Sequence, residues 1–70
     1  MDYMPYPKPD YEESGCKVGW LFYSNEADAI AAAKVAEHNA RIDAKQGYDY
    51  GFERPGHIVK TAINWRVCTP

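Results

Sequence analysis

Residues 24–47 read SNEADAIAAAKVAEHNARIDAKQG, and this stretch decides the fold. Alanine stands at positions 27, 29, 31, 32, 33, 36, 40 and 44, and alanine has the strongest intrinsic helix preference. Ser24 offers an oxygen to the first free N–H groups, while Glu26 and Asp28 suit the positive end of the dipole. Gly47 supplies a C-terminal stop, so the expected helix runs from Asn25 to Gln46. On a helical wheel Ala27, Ala31, Val35, His38 and Ile42 form one stripe, opposite Ala29, Ala32, Ala33, Ala36 and Ala40. The bulkier stripe is expected to face the core. The alanine stripe then becomes a shallow outer surface that a partner can approach, or simply sustains the helix.

Upstream, residues 16–23 (CKVGWLFY) are aromatic and β-branched and read as a strand. Alternation places Val18, Trp20 and Phe22 on one face and Leu21 and Tyr23 on the other. Downstream, residues 48–53 (YDYGFE) alternate aromatic and polar in the period of a half-buried strand. Arg54-Pro55-Gly56-His57 reads as a turn, because proline presets φ and glycine accepts a positive φ after it. Ile58 to Cys68 reads as one long final strand.

A right-handed crossover makes the first two strands parallel and lets the third lie antiparallel between them. The expected fold is therefore α+β: two layers, one long helix on a three-stranded sheet, β-α-β-β with order 1-3-2. One helix covers one sheet face. Residues 16–70 form the single small domain. Residues 1–15 precede it as an extended arm, with Pro5, Pro7 and Pro9 interleaved with Tyr3, Tyr6 and Lys8. That arm is either a loose tail or a strap whose tyrosines pack on the body or on a partner.

Seventy residues leave little room for a concave catalytic site on top of a core. A composition of 46% apolar and 26% charged residues is that of an ordered globular chain. A net charge of −2 lacks the basic footprint of a duplex-DNA binder. Four of the ten acids lie in residues 1–15 beside a single lysine, so the body is nearly neutral. No apolar run reaches the ~20 residues of a membrane span, and the first residues lack the basic start and apolar centre of a signal peptide. The expected setting is cytoplasmic.

Chemistry-bearing constellations are sparse. Cys16, Cys68, His38 and His57 lack the paired two-to-four-residue spacing of structural zinc ligands, so no metal is expected. The cysteines read as reduced apolar residues, with a Cys16–Cys68 bridge left open. Glu37 pairs naturally with Arg41 along the helix, and no glycine-rich phosphate loop exists. Neither a cofactor nor an enzymatic activity is expected.

Six tyrosines and two tryptophans are many for this length, and these types with arginine concentrate where proteins bind each other. Tyr6, Tyr23, Tyr48, Tyr50, Arg54 and Arg66 are the candidate partner-binding residues. Two other readings compete. One is a homodimer formed through the helix or the uncovered sheet face. The other is a single-stranded nucleic-acid binder that stacks bases on Tyr23, Tyr48, Tyr50 and Phe52 beside Arg54, Lys60 and Arg66. Near-neutral charge weighs against the second.

The plan and size resemble those of small phage-encoded inhibitor proteins, such as anti-CRISPR proteins and the host RNA-polymerase inhibitors of T7-like phages. The strand–helix–hairpin order, Asn25-Glu26-Ala27-Asp28-Ala29, Gly51-Phe52-Glu53 and the tail Arg66-Val67-Cys68-Thr69-Pro70 carry the resemblance to the polymerase inhibitors. The likeness spans residues 17–70 in plan and about a dozen positions in identity; the alanine-rich helix and the proline arm depart from it. The resemblance implies a non-enzymatic protein that sterically blocks a host protein or complex. It also implies that Arg66 and the helix acids make the contacts.

Overall fold

The computed structural model describes residues 2–15, 17–51 and 54–70. Within them the chain runs β1 (Tyr11–Ser14), β2 (Gly19–Tyr23), α1 (Glu26–Lys45), β3 (Ile58–Lys60) and β4 (Trp65–Thr69). All strand pairs are antiparallel, in the spatial order β1-β2-β4-β3, and α1 packs on one face. The coarse α+β class is the expected one. The number, direction and order of the strands are not, and each difference has a local cause.

The expected single strand Ile58–Cys68 folds back on itself. Thr61 N–H donates to the Asn64 carbonyl at 2.8 Å, and the Thr61 hydroxyl oxygen accepts from the N–H groups of Ile63 and Asn64. This side chain closes a tight turn and makes β3 and β4 a hairpin. Ile63 sits at its tip, 85% exposed.

The expected strand at 48–53 is absent from its described residues. Positive φ at Gly47 and Gly51 bends the chain at both ends of Tyr48-Asp49-Tyr50, and the Asp49 carboxylate accepts from Gly51 N–H at 2.8 Å. With no strand at residues 48–51, the expected parallel crossover pair is not formed there; the antiparallel pairing of β2 with β4 is the one expected between the first and last strands.

A fourth strand comes from the segment read as an arm. Tyr11–Ser14 pairs with β2, and Asp10 N–H donates to the Phe22 carbonyl at 2.9 Å. Residues 2–9 run back along α1. The buried Asn39 amide clasps the Met4 backbone from both sides: Met4 N–H donates to Oδ1 at 2.8 Å, and Nδ2 donates to the Met4 carbonyl at 3.1 Å. The Tyr23 hydroxyl donates to the Pro7 carbonyl at 2.7 Å.

The helix forms for the expected reasons, with its cap one residue later than read. Asn25, not Ser24, is the N-cap and accepts from Ala27 N–H at 2.8 Å. Its orientation is the reverse of the expected one. Ala29, Ala32, Ala33 and Ala36 are buried with Asn39 and Ile42, whereas Ala27 and Ala31 are exposed and Val35 and His38 half-buried. Small side chains let α1 approach a sheet whose own residues supply the volume. Leu21, Tyr23 and Val67 pack against the alanines, with Tyr6, Ile58 and Trp65 around them.

The turn at residues 54–57 stands as read. His57 N–H donates to the Arg54 carbonyl at 3.0 Å, and Gly56 has φ +96°. A Cβ at Gly56 would lie 2.5 Å from Glu37 Cγ, so the turn rests directly on α1.

Candidate functional site: the open sheet face

Residues directly opposite in an antiparallel pair share a face. Two rows therefore cross the side of the sheet away from α1. One is Tyr11–Phe22–Arg66–Val59, and the other is Glu13–Trp20–Cys68. The neighbouring positions Leu21, Tyr23 and Val67 point to the helix and are buried. Trp20, Phe22, Arg66 and Val59 are half-buried and Tyr11 is 60% exposed, whereas Cys68, at the end of the second row, is 1% exposed.

The exposed groups are organised. The Tyr11 and Phe22 rings meet at 5.3 Å between centroids with planes 53° apart, a tilted geometry that aromatic pairs favour. The Arg66 guanidinium carbon lies 4.6 Å from the Trp20 ring centroid, a cation–π contact. Arg66 Nε is buried without a hydrogen-bond partner. Glu13 and Arg66 are the one acid and the one base among the residues of these two rows.

The six sequence-expected residues do not gather on this face. Arg66 alone of them lies on it. Tyr23 is 2% exposed and belongs to the core; burial pushes its hydroxyl pKa up to about 12, and the hydroxyl donates to the Pro7 carbonyl. Tyr6 is half-buried at the core's margin, where its hydroxyl accepts from Asn39 Nδ2 at 3.2 Å. Tyr48 and Tyr50 meet in a tilted ring pair, 4.5 Å between centroids with planes 59° apart, beyond the end of α1, where with Arg41 and Asp49 they line an open groove. Arg54 is exposed in the turn on the helix side. The aromatic surface read as Tyr23, Tyr48, Tyr50 and Phe52 is therefore not built. Tyr23 faces the helix, Tyr48 and Tyr50 leave the sheet, and Phe52 lies outside the described residues, as does Cys16 of the bridge left open. Cys68 is buried.

The residues missed are Trp20, Phe22 and Tyr11. Alternation in 18–23 had already separated Trp20 and Phe22 from Leu21 and Tyr23. What sequence lacked was the side on which the helix sits.

A second cluster ties the chain's beginning to the end of α1. Tyr3 and Tyr50 both donate hydroxyl hydrogen bonds to the Asp43 carboxylate, and His38 Nε2 lies 3.2 Å from the Asp2 carbonyl oxygen. The two hydroxyls, Tyr3 first, hold the Asp43 carboxyl below the usual carboxylate range. Desolvation, then the hydrogen bond to Asp43, pushes the Tyr50 hydroxyl well up. This cluster fastens the strap to the body.

Among the described residues no group of three or more His, Cys, Asp or Glu is placed to hold a metal ion, and no helix is long and apolar enough to cross a membrane. No family model, no curated protein and no solved structure matches the chain.

Proposed function

We propose that this chain is a non-enzymatic protein-binding module that acts by occupying a working surface of its partner, with the open sheet face as the contact. One observation carries the reading. The helix and the strap both pack on the other side or along its edge, so Tyr11, Phe22, Trp20 and Arg66 are left facing outward as an ordered set. Trp, Tyr and Arg are the residue types that dominate binding energy at protein interfaces. The likeness of the sequence to phage-encoded inhibitors makes a host protein or complex the partner and steric blocking the mode of action, in the cytoplasm.

Capture from lysate of the cells that carry the gene tests this when three variants are compared. Tyr11→Ala and Phe22→Ser are expected to lose the bound protein, whereas Ile30→Ser, on the exposed side of α1, is expected to keep it. Equal capture by all three removes the open face from the reading. Recovery of nucleic acid in place of protein overturns the protein partner.

A further inference from the structure

We infer that the centre of the open face receives an acidic side chain of the partner protein, with Arg66 seated on Trp20 as the carboxylate receptor. The inference rests on the reading of this face as a protein-binding surface and names what the partner brings to it.

Arg66 sits between Phe22 and Val59 in its row, with the Trp20 ring against its guanidinium. These are apolar neighbours, and a cation among them is poorly solvated. Nε has neither an acceptor nor contact with water. Arg66 is half-exposed, and its terminal N–H groups are the polar part still open to a ligand. Among the described residues no carboxylate meets the guanidinium. Glu13, the acid of the same face, stands on β1 with all of β2 between, two strand spacings across and two residues along from Arg66, about 12 Å between Cα atoms.

A planar fork of donors, placed against an aromatic ring and lacking an acceptor, is matched by the two oxygens of a carboxylate. Phosphate offers similar oxygens, but a strand of nucleic acid needs a basic track, and these rows hold one cation and one anion. Charge complementarity therefore favours an aspartate or glutamate of a protein.

The test is an NMR titration of the ¹⁵N-labelled chain, read at the Arg66 Nε–H and the Trp20 indole N–H. The probes are acetyl-tetraglutamate amide, acetyl-tetraglutamine amide and a thymidine hexanucleotide. The glutamate peptide is expected to shift both signals saturably and the glutamine peptide to leave them unmoved. In Arg66→Lys, which keeps the charge but not the fork, the affinity read at Trp20 is expected to drop roughly tenfold while the spectrum stays dispersed. No saturation, an equal response to the glutamine peptide, or unchanged affinity in Arg66→Lys overturns the inference. A stronger response to the oligonucleotide replaces the carboxylate with a nucleic acid. Shifts that follow protein concentration, with a dimer in sedimentation, replace it with a second copy. If the glutamate peptide does nothing while Phe22→Ser still abolishes protein capture, recognition of an acid fails and the surface stands. If Phe22→Ser leaves capture intact, the surface itself fails.

Discussion

The two faces of this sheet are made from alternate residues of the same strands, yet they follow opposite rules. Toward the helix, Leu21, Tyr23 and Val67 meet alanines that are wholly or almost wholly buried. Away from it, Tyr11, Trp20, Phe22 and Arg66 meet each other and stay partly exposed. The covered face contributes the hydrophobic stabilisation, at about 25 cal/mol per Å² of buried apolar surface. The open face contributes less than its residue types could. A chain with one helix has aromatic surface to spare, and that surplus is what makes this face a candidate for a partner.

The contrast breaks most readily at the helix. Ala32→Leu, at a fully buried position, is expected to cost about 1–3 kcal/mol in urea denaturation, because the added carbons push α1 off the sheet. Ala31→Leu, one residue away and exposed, is expected to change stability by no more than about 0.5 kcal/mol. Equal costs at the two positions would mean that the alanine stripe is not the packed one.

A smaller effect separates the faces by pH. Burial raises the Tyr23 hydroxyl to about 12, so the folded chain keeps that proton after the unfolded chain has lost it. Its contribution is intact below about pH 10 and is lost as pH rises from there toward 12. Tyr23→Phe is expected to cost about 0.5–1.5 kcal/mol at neutral pH, through loss of the bond to Pro7, and to flatten the alkaline decline. Urea midpoints at pH 9 and pH 11 check this. An unchanged alkaline slope would count against a buried hydroxyl.

The strap should respond at the other end of the scale. Asp43 is held below the ordinary carboxylate range, so its two tyrosine bonds persist above that range and are lost as pH falls through the lowered value. Tyr3 side-chain NMR signals are expected to move toward free-chain positions below about pH 4 while the β2 and β4 amides stay put. Simultaneous loss of both would show that the strap and the body unfold together.

A modest stability effect is expected on the open face. Tyr11→Ala, at an edge-strand residue 60% exposed, should cost no more than about 1 kcal/mol, the worth of its cross-strand ring pair with Phe22. Loss of partner capture without loss of fold is the pattern that distinguishes this face from the covered one.

Legibility in the sequence follows the same physics. The helix was readable because propensity, Asn25, the early acids and Gly47 agree locally. Its orientation was not. Counting bulk along the helix alone ignored the volume already supplied by Tyr23, Leu21 and Trp65 across the interface. Tyr11–Ser14 has no buried side, so it carries no period for a pattern to reveal. The break after Lys60 depends on one side chain, Thr61, turning back on Asn64; a threonine and an asparagine three apart were the signal. Of the site, Arg66 and the Trp20/Phe22 alternation were visible, but Tyr48 and Tyr50 were drawn away by glycine-bent backbone.

The central claim is that the open face, and not the helix, meets the partner. A photo-crosslinking amino acid placed at position 22 and, separately, at position 31 tests it in the cells that carry the gene. A discrete protein adduct from position 22 and none from position 31 is the predicted result. Adducts from position 31 alone, or from neither, would contradict it.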